Sequence, residues 1–367
     1  MAASASSVIE DWFPSVYHVD MHDSSRQKCI DLLKRIPAAM NKRAVSHGVS
    51  ILKKIFYTVL HLTICLLSIT SAAYTHTAYA SEKMSHGQTI IEAIRISGPL
   101  DFCGEPVPLD DPDVRERLER EMLISLDNSD DLILWLKRAK RYFPVIERVL
   151  KENGLPDDLK YITIAESSLK PLAFSHKGAS GPWQFIPSTG TRYGLIVGND
   201  IDERRNIYKS TPAAAKYLRN LYSMFASWTL AAAAYNMGEN GLRSEMTMQR
   251  VDDYYKLYLN SETSRYVFRI LAAKIIMSNP DKFGYVLSKE DYYLEKPFDT
   301  VELSTSRNVP LYIIARAANT YFKVIKDLNP EIKQYQLPPG FHRICIPQGS
   351  ADGFYERYEK FLTNDLP

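Results

Sequence analysis

The sequence predicts a mainly α-helical protein that ends in a small module of mixed helices and strands. Two observations carry this prediction. Helix-capping residues and apolar residues at helical spacing recur from residue 110 to residue 277, and no run of alternating strand pattern interrupts them. After Pro297 the pattern changes, and two short strand-like segments enclose two helical ones. The length of 367 residues is compatible with two or three domains.

The first 80 residues are predicted to be an export leader rather than part of the fold. Basic residues 53–54 precede an apolar run at residues 55–73, and the small-x-small triplet 78–80 follows it. These are the three parts of a secretory signal, so we expect cleavage after Ala80 and a location in the periplasm or cell envelope. The run of roughly 19 residues is also long enough to span a bilayer, so an uncleaved inner-membrane anchor is the alternative. Translation from Met40 would give a more usual leader.

Helices are predicted in order along the middle of the chain. Asp111-Pro112 is an N-cap followed by proline at the first helical position, and residues 132–150 form a longer amphipathic stretch. Residues 210–212 (STP) are predicted to cap another helix. Residues 228–235 are apolar all round, which is typical of a helix buried on every side. Residues 262–277 form one more helix.

The C-terminal pattern predicts a β-α-α-β module within residues 296–350. Its strands are expected at residues 301–303 and 342–346, and its helices lie between them. Residues 351–367 are left as a C-terminal tail.

Composition excludes some classes of function. Lys and Arg number 45 and Asp and Glu number 43, which argues against a dedicated nucleic-acid binder. No cluster of His, Cys or carboxylates has metal-ligand spacing, so we expect neither a metal nor another cofactor. After removal of the leader, Cys103 and Cys345 remain, and they form either a disulfide in an oxidising compartment or two separately buried thiols.

A single carboxylate stands in the middle of an otherwise apolar helix face. Leu159, Ile162 and Leu169 lie on one side of a predicted helix. Glu166 lies among them, and Pro171 ends the helix soon afterwards. Burial and the negative end of the helix dipole both favour the protonated form, so the pKa of Glu166 should be raised. The alternative is a structural carboxylate satisfied by Ser or Tyr partners.

Further motifs surround this carboxylate in the sequence. A glycine-rich segment supplies polar and aromatic side chains suited to a sugar, and the buried helix ends in a phenol and an amide. The motifs are Glu166-Ser167, Ser175, residues 178–184 (GASGPWQ), residues 202–205 (DERR), residues 234–238 (AYNMG) and residues 261–267 (SETSRYV).

Together these motifs resemble the soluble lytic transglycosylase family of the goose-type lysozyme superfamily, in particular its membrane-bound lytic murein transglycosylase D type. The match covers roughly residues 100–285 and implies a lysozyme-like all-α catalytic domain within residues 81–285. Departures from the family pattern are Pro182 for Leu, Met237 for Ala and Asn206 for Asp. None of them removes a reacting group.

The resemblance implies cleavage of the β-1,4 bond between N-acetylmuramic acid and N-acetylglucosamine in peptidoglycan, leaving a 1,6-anhydro end. One carboxyl group, Glu166, would serve as general acid and then as base, because the nucleophile is the substrate's own hydroxyl. Ordinary glycosidases need two carboxyl groups. The other candidates are predicted to be structural: Asp202, Glu203 and Glu239.

The resemblance also implies roles for four further residues. Ser175 would hydrogen-bond near the catalytic acid, and Gln184 would contact an N-acetyl sugar. Tyr235 would orient Glu166 or stabilise developing charge. Asn236 would act similarly, or cap its helix in the left-handed conformation beside Gly238.

Three smaller motifs have competing interpretations. Ser167 would bind backbone or substrate. Trp183 and Phe185 would stack on sugar rings, although packing is the usual role of aromatic residues beside glycines. The C-terminal module resembles a degenerate LysM peptidoglycan-binding domain without the family's Gly-Asp-Thr, so it would bind glycan or act as a structural cap.

The expected partners are therefore peptidoglycan glycan strands, with membrane association through the N-terminal apolar segment as a further expectation. Two rival functions remain. A hydrolytic muramidase would use the same fold, and a non-catalytic scaffold would bind peptidoglycan without cutting it.

Overall fold

The structure is a computed structural model that describes residues 59–60, 63–64, 90–96 and 98–365. The chain divides into two units, Met1–Lys83 and Met84–Pro367. The predicted leader therefore lies almost wholly outside the described residues. Within those residues, no helix is both long and apolar enough to cross a membrane.

The part of the chain from residue 112 to residue 278 is built mainly from helices, as predicted. In chain order the helices are α1 Pro112–Asp127, α2 Ser129–Glu152, α3 Ile162–Ser167, α4 Pro187–Arg192, α5 Ile207–Phe225, α6 Trp228–Met237, α7 Glu239–Gln249 and α8 Ser261–Ser278. A two-residue hairpin, β1 Asp101–Phe102 and β2 Glu105–Pro106, precedes them. A 3-10 turn at Asp157–Tyr161 leads directly into α3.

The sequence signals explain where several of these helices begin. Asp111 accepts a hydrogen bond from the backbone N–H of Asp113, and Pro112 is the first helical residue of α1, as the capping pattern predicts. Asn260 caps α8 by accepting from Glu262 and Thr263. The predicted helices at residues 132–150, 228–235 and 262–277 are all present.

The predicted start of α5 is wrong. The sequence placed the cap at residues 210–212, but the helix begins at Ile207, and Asn206 caps it by accepting from the N–H of Tyr208. Pro212 consequently lies inside α5. The helix continues past this proline, and the Thr211 hydroxyl donates to the Ile207 carbonyl across the same turn, at 2.6 Å. A cap four residues upstream of Ser210 therefore takes precedence over the Ser-Thr-Pro signal.

Helix α6 is the centre of the core. Residues 228–234 are all buried, which confirms the prediction from their apolar composition. The helix packs against α5, α7 and α8. Its N-terminus is covered by Glu105 from the β-hairpin, whose carboxylate accepts from the backbone of Trp228 and Thr229. The core thus holds fixed the end of α6 that carries Tyr235 and Asn236.

The C-terminal module contains the predicted strands and helices together with further elements. Its main sheet pairs β3 Phe298–Thr305 antiparallel with β6 Gly340–Pro347, and a second, two-residue pair joins β4 Val309–Pro310 to β5 Gln336–Leu337. The helices between the strands are α9 Leu311–Ala317 and α10 Phe322–Leu328.

The last segment is not a tail. Helix α11 spans Phe354–Asp365, and Phe354 and Tyr358 are buried in the module's core. The predicted tail therefore completes the module by covering α9, which it contacts.

The two cysteines of the described chain are free thiols. Cys103 and Cys345 are both half-buried and unpaired. Burial raises the pKa of each, for Cys345 to about 11. Of the two expectations from the sequence, separate thiols are what the structure contains.

Candidate active site

Glu166 lies at the C-terminal end of a short helix. It is the fifth residue of the six-residue α3, which ends where Ser168 and Leu169 both adopt left-handed backbone, with φ of 53° and 56°. Leu159, Ile162 and Leu169 are fully buried around it. The carboxylate therefore sits at the negative end of the helix dipole and on an apolar face, as the sequence predicts.

One hydroxyl group holds the Glu166 carboxylate. Tyr266, from the buried face of α8, donates a hydrogen bond to Oε1. The other oxygen, Oε2, has no hydrogen-bond partner among the described residues. One oxygen is thus fixed, and the other is left available for a ligand.

Burial dominates the electrostatics of this group. Loss of hydration raises the pKa of Glu166 to about 7, although the Tyr266 hydrogen bond and the charge of Arg269 act to lower that pKa. Arg269 is itself held by Glu262 at 2.5 Å and lies over the Tyr266 ring, 5.6 Å from its centroid. At neutral pH a large fraction of Glu166 is therefore protonated.

Tyr266 is the site residue that sequence reasoning missed. It lies 100 residues after Glu166, in the predicted helix at residues 262–277, and in the sequence it stands out only as part of the motif at residues 261–267. Its apolar helix face indicates a buried phenol, which needs a hydrogen-bond partner, but no local signal in the sequence identifies that partner as Glu166.

Tyr235 does not contact Glu166 by a hydrogen bond. Its hydroxyl donates to the carbonyl of Trp183 at 2.7 Å. The expected orientation of Glu166 by this phenol is thus replaced by Tyr266. Its other expected role, stabilisation of developing charge, remains a prediction, and the nearby Glu166 charge does help to raise the pKa of Tyr235, after burial.

Asn236 does not cap its helix. It lies within α6, while the residue with positive φ is Gly238, at 88°. The Asn236 amide oxygen instead accepts from the Thr263 hydroxyl at 2.8 Å, which ties α6 to the first turn of α8. The capping alternative is therefore wrong, and a part in substrate binding remains a prediction.

Ser175 and Gln184 help to fold the loop between α3 and α4. The Ser175 hydroxyl accepts from the Ala179 N–H at 3.1 Å. Gln184 has left-handed backbone, and its amide nitrogen donates to the carbonyls of Ala173 and Gly181 at 3.2 and 2.8 Å. These bonds leave the Gln184 amide oxygen without a partner in the described chain, so its expected contact with a sugar remains open.

The backbone of the same loop passes very close to the backbone of Arg204. Gly181 has φ of 84°, and a Cβ there would lie 1.8 Å from the carbonyl oxygen of Arg204. The Arg204 guanidinium also donates to the carbonyls of Gly178 and Phe185, at 2.8 Å each. Only glycine fits at position 181.

The other candidate carboxylates are engaged elsewhere, as predicted. Arg204 binds both oxygens of Asp202, at 2.8 and 2.7 Å. The partners of the remaining two are Lys209 for Glu203 and Arg192 for Glu239, each at 2.9 Å.

Trp183 and Phe185 are packing groups. Trp183 is fully buried, and its indole N–H donates to Thr211 at 3.0 Å, while Phe185 is also buried. Ser167 donates to the carbonyl of Pro182 at 2.8 Å. Stacking of these rings on sugar is therefore excluded in this arrangement, and Ser167 binds backbone. Among the described residues, no group of His, Cys, Asp and Glu is arranged to hold a metal ion.

A known protein family matches the part of the chain that contains this site. Residues 143–257, which contain Glu166 and the whole loop, match the family model of the transglycosylase SLT domain. The chain carries a transglycosylase SLT domain.

Curated relatives extend the similarity beyond the SLT domain. Membrane-bound lytic murein transglycosylase D from Escherichia coli strain K12 is 30% identical over 261 residues, which cover 70% of this chain and 57% of the relative. The protein of the same name from Escherichia coli O6:H1 gives the same values. The chain thus spans somewhat more than half the length of these relatives.

Solved structures of lytic transglycosylases are also similar to the SLT-containing chain. An inactive mutant of lytic transglycosylase Slt from Pseudomonas aeruginosa is 21% identical, with a TM-score of 0.30, and the match covers 42% of this chain and 26% of that one. The 70 kDa soluble lytic transglycosylase from Escherichia coli is 18% identical, with a TM-score of 0.34 and coverage of 50% and 34%.

Proposed function

We propose that this protein is a lytic transglycosylase that cleaves the β-1,4 bond between N-acetylmuramic acid and N-acetylglucosamine in peptidoglycan. The observation that carries the proposal is Glu166 within an SLT domain: a carboxyl group with a pKa of about 7, held at one oxygen and unengaged at the other. A general acid works best when its pKa lies near the working pH.

In the proposed reaction Glu166 acts twice. Its proton passes to the glycosidic oxygen as the C1–O bond of the muramic acid breaks. The C6 hydroxyl of the same sugar attacks C1, and the Glu166 carboxylate takes the hydroxyl proton. A 1,6-anhydro ring forms, no water is consumed, and Glu166 returns to its protonated state.

Tyr266 would support both steps. Its hydrogen bond fixes Oε1 and so directs Oε2 toward substrate. When Glu166 loses its proton, the same bond and the positive charge of Arg269 stabilise the carboxylate, since both lower its pKa. Tyr266 and Arg269 are therefore positioning residues for the acid.

The engagement of the other carboxylates supports a mechanism with one acid. Asp202, Glu203 and Glu239 are each paired with a basic side chain. A hydrolytic glycosidase needs a second carboxyl group near the scissile bond to activate water or attack the sugar. The C6 hydroxyl of the substrate makes that group unnecessary.

The remaining assignments follow from this function. The two relatives from Escherichia coli are membrane-bound lytic murein transglycosylases, and murein lies in the cell envelope, so we infer that this chain also acts there. We assign catalysis to residues 81–285 and a LysM-like role to residues 296–350, as a glycan-binding module or a structural cap. Ser175, Gln184, Tyr235 and Asn236 are proposed as groups that line the substrate site.

The proposal is tested by release of soluble fragments from purified sacculi by the full chain, compared with Glu166→Gln and with the exposed control Glu152→Gln. We expect release by the wild type and the control, and loss of release by Glu166→Gln, which still cosediments with sacculi. Release by Glu166→Gln at the wild-type rate would refute the role of the acid. Cosedimentation without any release by the wild type would favour a scaffold.

A further inference from the structure

A cleft that is partly open to solvent lies where the SLT-containing part of the chain meets the C-terminal module. One wall consists of the middle of α2, Pro171 and the start of α5. The other consists of Lys296, Phe298 and the end of α10. The mechanism above uses none of these groups.

Arg205 lines this cleft with unused hydrogen-bond donors. Its side chain is 24% exposed, and its nearest acidic atom is Oδ2 of Asp202, 3.9 Å from Nε. That carboxylate already binds Arg204 through both oxygens. Within the described chain, no hydrogen bond satisfies the Arg205 guanidinium. Only Nε is buried without a hydrogen-bond partner, so the terminal nitrogens of Arg205 are the donors accessible to an acceptor from outside the chain.

Two further cations line the same cleft. Arg141 donates from Nε to the carbonyl of Leu294 at 2.9 Å, and its guanidinium lies 5.4 Å from the centroid of the Tyr293 ring. Its other nitrogens have no hydrogen-bond partner in the described chain. Lys296 pairs with Asp327 at 3.3 Å, but Asp327 is shared with Lys323 at 2.6 Å. Three cations thus line the cleft together with the Asp327 carboxylate, and a second carboxylate, Glu295, accepts from the Tyr208 hydroxyl at 3.4 Å beside it. Cations outnumber carboxylates by three to two, so the cleft carries a net positive charge.

Buried polar contacts join the two walls of the cleft and hold them in a fixed relative position. Glu331 of the module is 2% exposed and accepts from Asn206 at 2.8 Å and from Lys209 at 3.1 Å. The backbone carbonyl of Glu331 accepts from the N–H of Asp202, and Ile332 forms an antiparallel β-bridge with Ile201. Breaking such buried pairs is costly, so the walls stay in register.

The remaining lining is apolar or aromatic. The Tyr208 ring meets Phe298 edge-on, with centroids 5.0 Å apart, and Tyr142 and Pro171 also contribute. A positive cleft with short apolar walls suits a carboxylate attached to a small organic group, because guanidinium groups bind carboxylates through charge-assisted hydrogen bonds.

We propose that this cleft binds the carboxylate of a peptide stem carried by the glycan strand, so that the enzyme favours peptide-bearing over naked strands. This inference rests on the proposed function. Peptide stems are attached to N-acetylmuramic acid, the sugar on which Glu166 would act, and they end in carboxylates.

The distances permit this arrangement. Pro171 is five residues after Glu166, so their Cα atoms are at most about 18 Å apart along an extended chain. A stem of four residues spans up to about 14 Å by the same measure, and the sugar adds to this reach. A stem on the reacting muramic acid is therefore comparable in length to the largest possible separation of Glu166 from Pro171, which lines the cleft.

The test compares soluble glycan strands that carry peptide stems, the same strands after removal of the stems by an amidase, and stem-bearing strands whose carboxylates have been amidated. The variants are Arg205→Gln in the full chain and, as a charge-matched control, Arg120→Gln on the exposed surface of α1. We expect wild type and control to favour unmodified stem-bearing strands. Arg205→Gln should raise KM for these strands about tenfold to a hundredfold, with kcat and naked-strand rates unchanged.

Equal wild-type rates on all three strands would overturn the inference, as would an equal loss by Arg205→Gln on stem-bearing and naked strands. Inhibition by inorganic phosphate without any preference for stems would also overturn it, because the cleft would then be a general anion site.

A binding measurement separates this inference from the proposed function. Isothermal titration of the same strands into Glu166→Gln needs no turnover. Tighter binding of stem-bearing strands, lost on adding Arg205→Gln, supports the cleft even if the wild type releases nothing. Equal affinity for both strands would reject the cleft whatever the catalytic result.

Discussion

The raised pKa of Glu166 predicts that removing its charge stabilises the fold at alkaline pH. In the folded chain this pKa is about 7, against an ordinary value of 4.5. Between these values the folded state binds more protons than the unfolded state, so stability falls as pH rises through this window. At about 1.4 kcal/mol for each pH unit, the ionised Glu166 costs the fold about 3 kcal/mol above pH 7.

Glu166→Gln removes this cost because glutamine does not titrate. The free energy of unfolding of the variant, minus that of the wild type, should rise by about 3 kcal/mol from pH 4 to pH 8. Urea unfolding followed by tryptophan fluorescence at several pH values measures this difference. The exposed control Glu152→Gln should give a flat difference. If the difference in unfolding free energy for Glu166→Gln also stays constant with pH, then the pKa of Glu166 is not raised by burial. The physical basis of the proposed general acid would then be refuted.

Three further predictions concern the site and the fold. Tyr266→Phe removes a hydrogen bond that lowers the pKa of Glu166, so kcat should fall about tenfold to a hundredfold. The alkaline limb of the pH–rate profile, near pH 7 in the wild type, should move to higher pH because the pKa of the acid rises. An alkaline limb at the wild-type pH would contradict this. Gly181→Ala, which drives Cβ into a carbonyl oxygen, should cost more than about 3 kcal/mol of unfolding free energy, whereas Gly194→Ala, with φ of 92° in open space, should cost only about 1–2 kcal/mol. Phe354→Ala should destabilise the module by about 3–5 kcal/mol in thermal unfolding, because that ring is fully buried, and a loss near zero would mean that α11 is dispensable.

Local signals were enough to predict most helices and the position of the acid. Asp111 caps α1, and the apolar composition of residues 228–235 gives the buried helix, because both depend on neighbours in the chain. Glu166 is placed at a helix end on an apolar face by spacing alone. The raised pKa follows from that placement.

Contacts between distant segments could not be predicted. Tyr266 reaches Glu166 across 100 residues, and Tyr235 turns instead to the carbonyl of Trp183. Asn206, the cap of α5, also donates from its amide nitrogen to Glu331, 125 residues away. These contacts depend on how distant segments pack together, and the spacing of residues along the sequence does not predict that packing.

The nucleophile is the central claim, and the products of the reaction test it most directly. Sacculi are digested by the full chain in water enriched in ¹⁸O, and the unreduced fragments are weighed by mass spectrometry. The proposal predicts ends lighter than a reducing end by one water molecule, with no ¹⁸O, and their absence with Glu166→Gln. Reducing ends that carry ¹⁸O would contradict it, because water would then be the nucleophile and a second carboxylate would have to act beside Glu166.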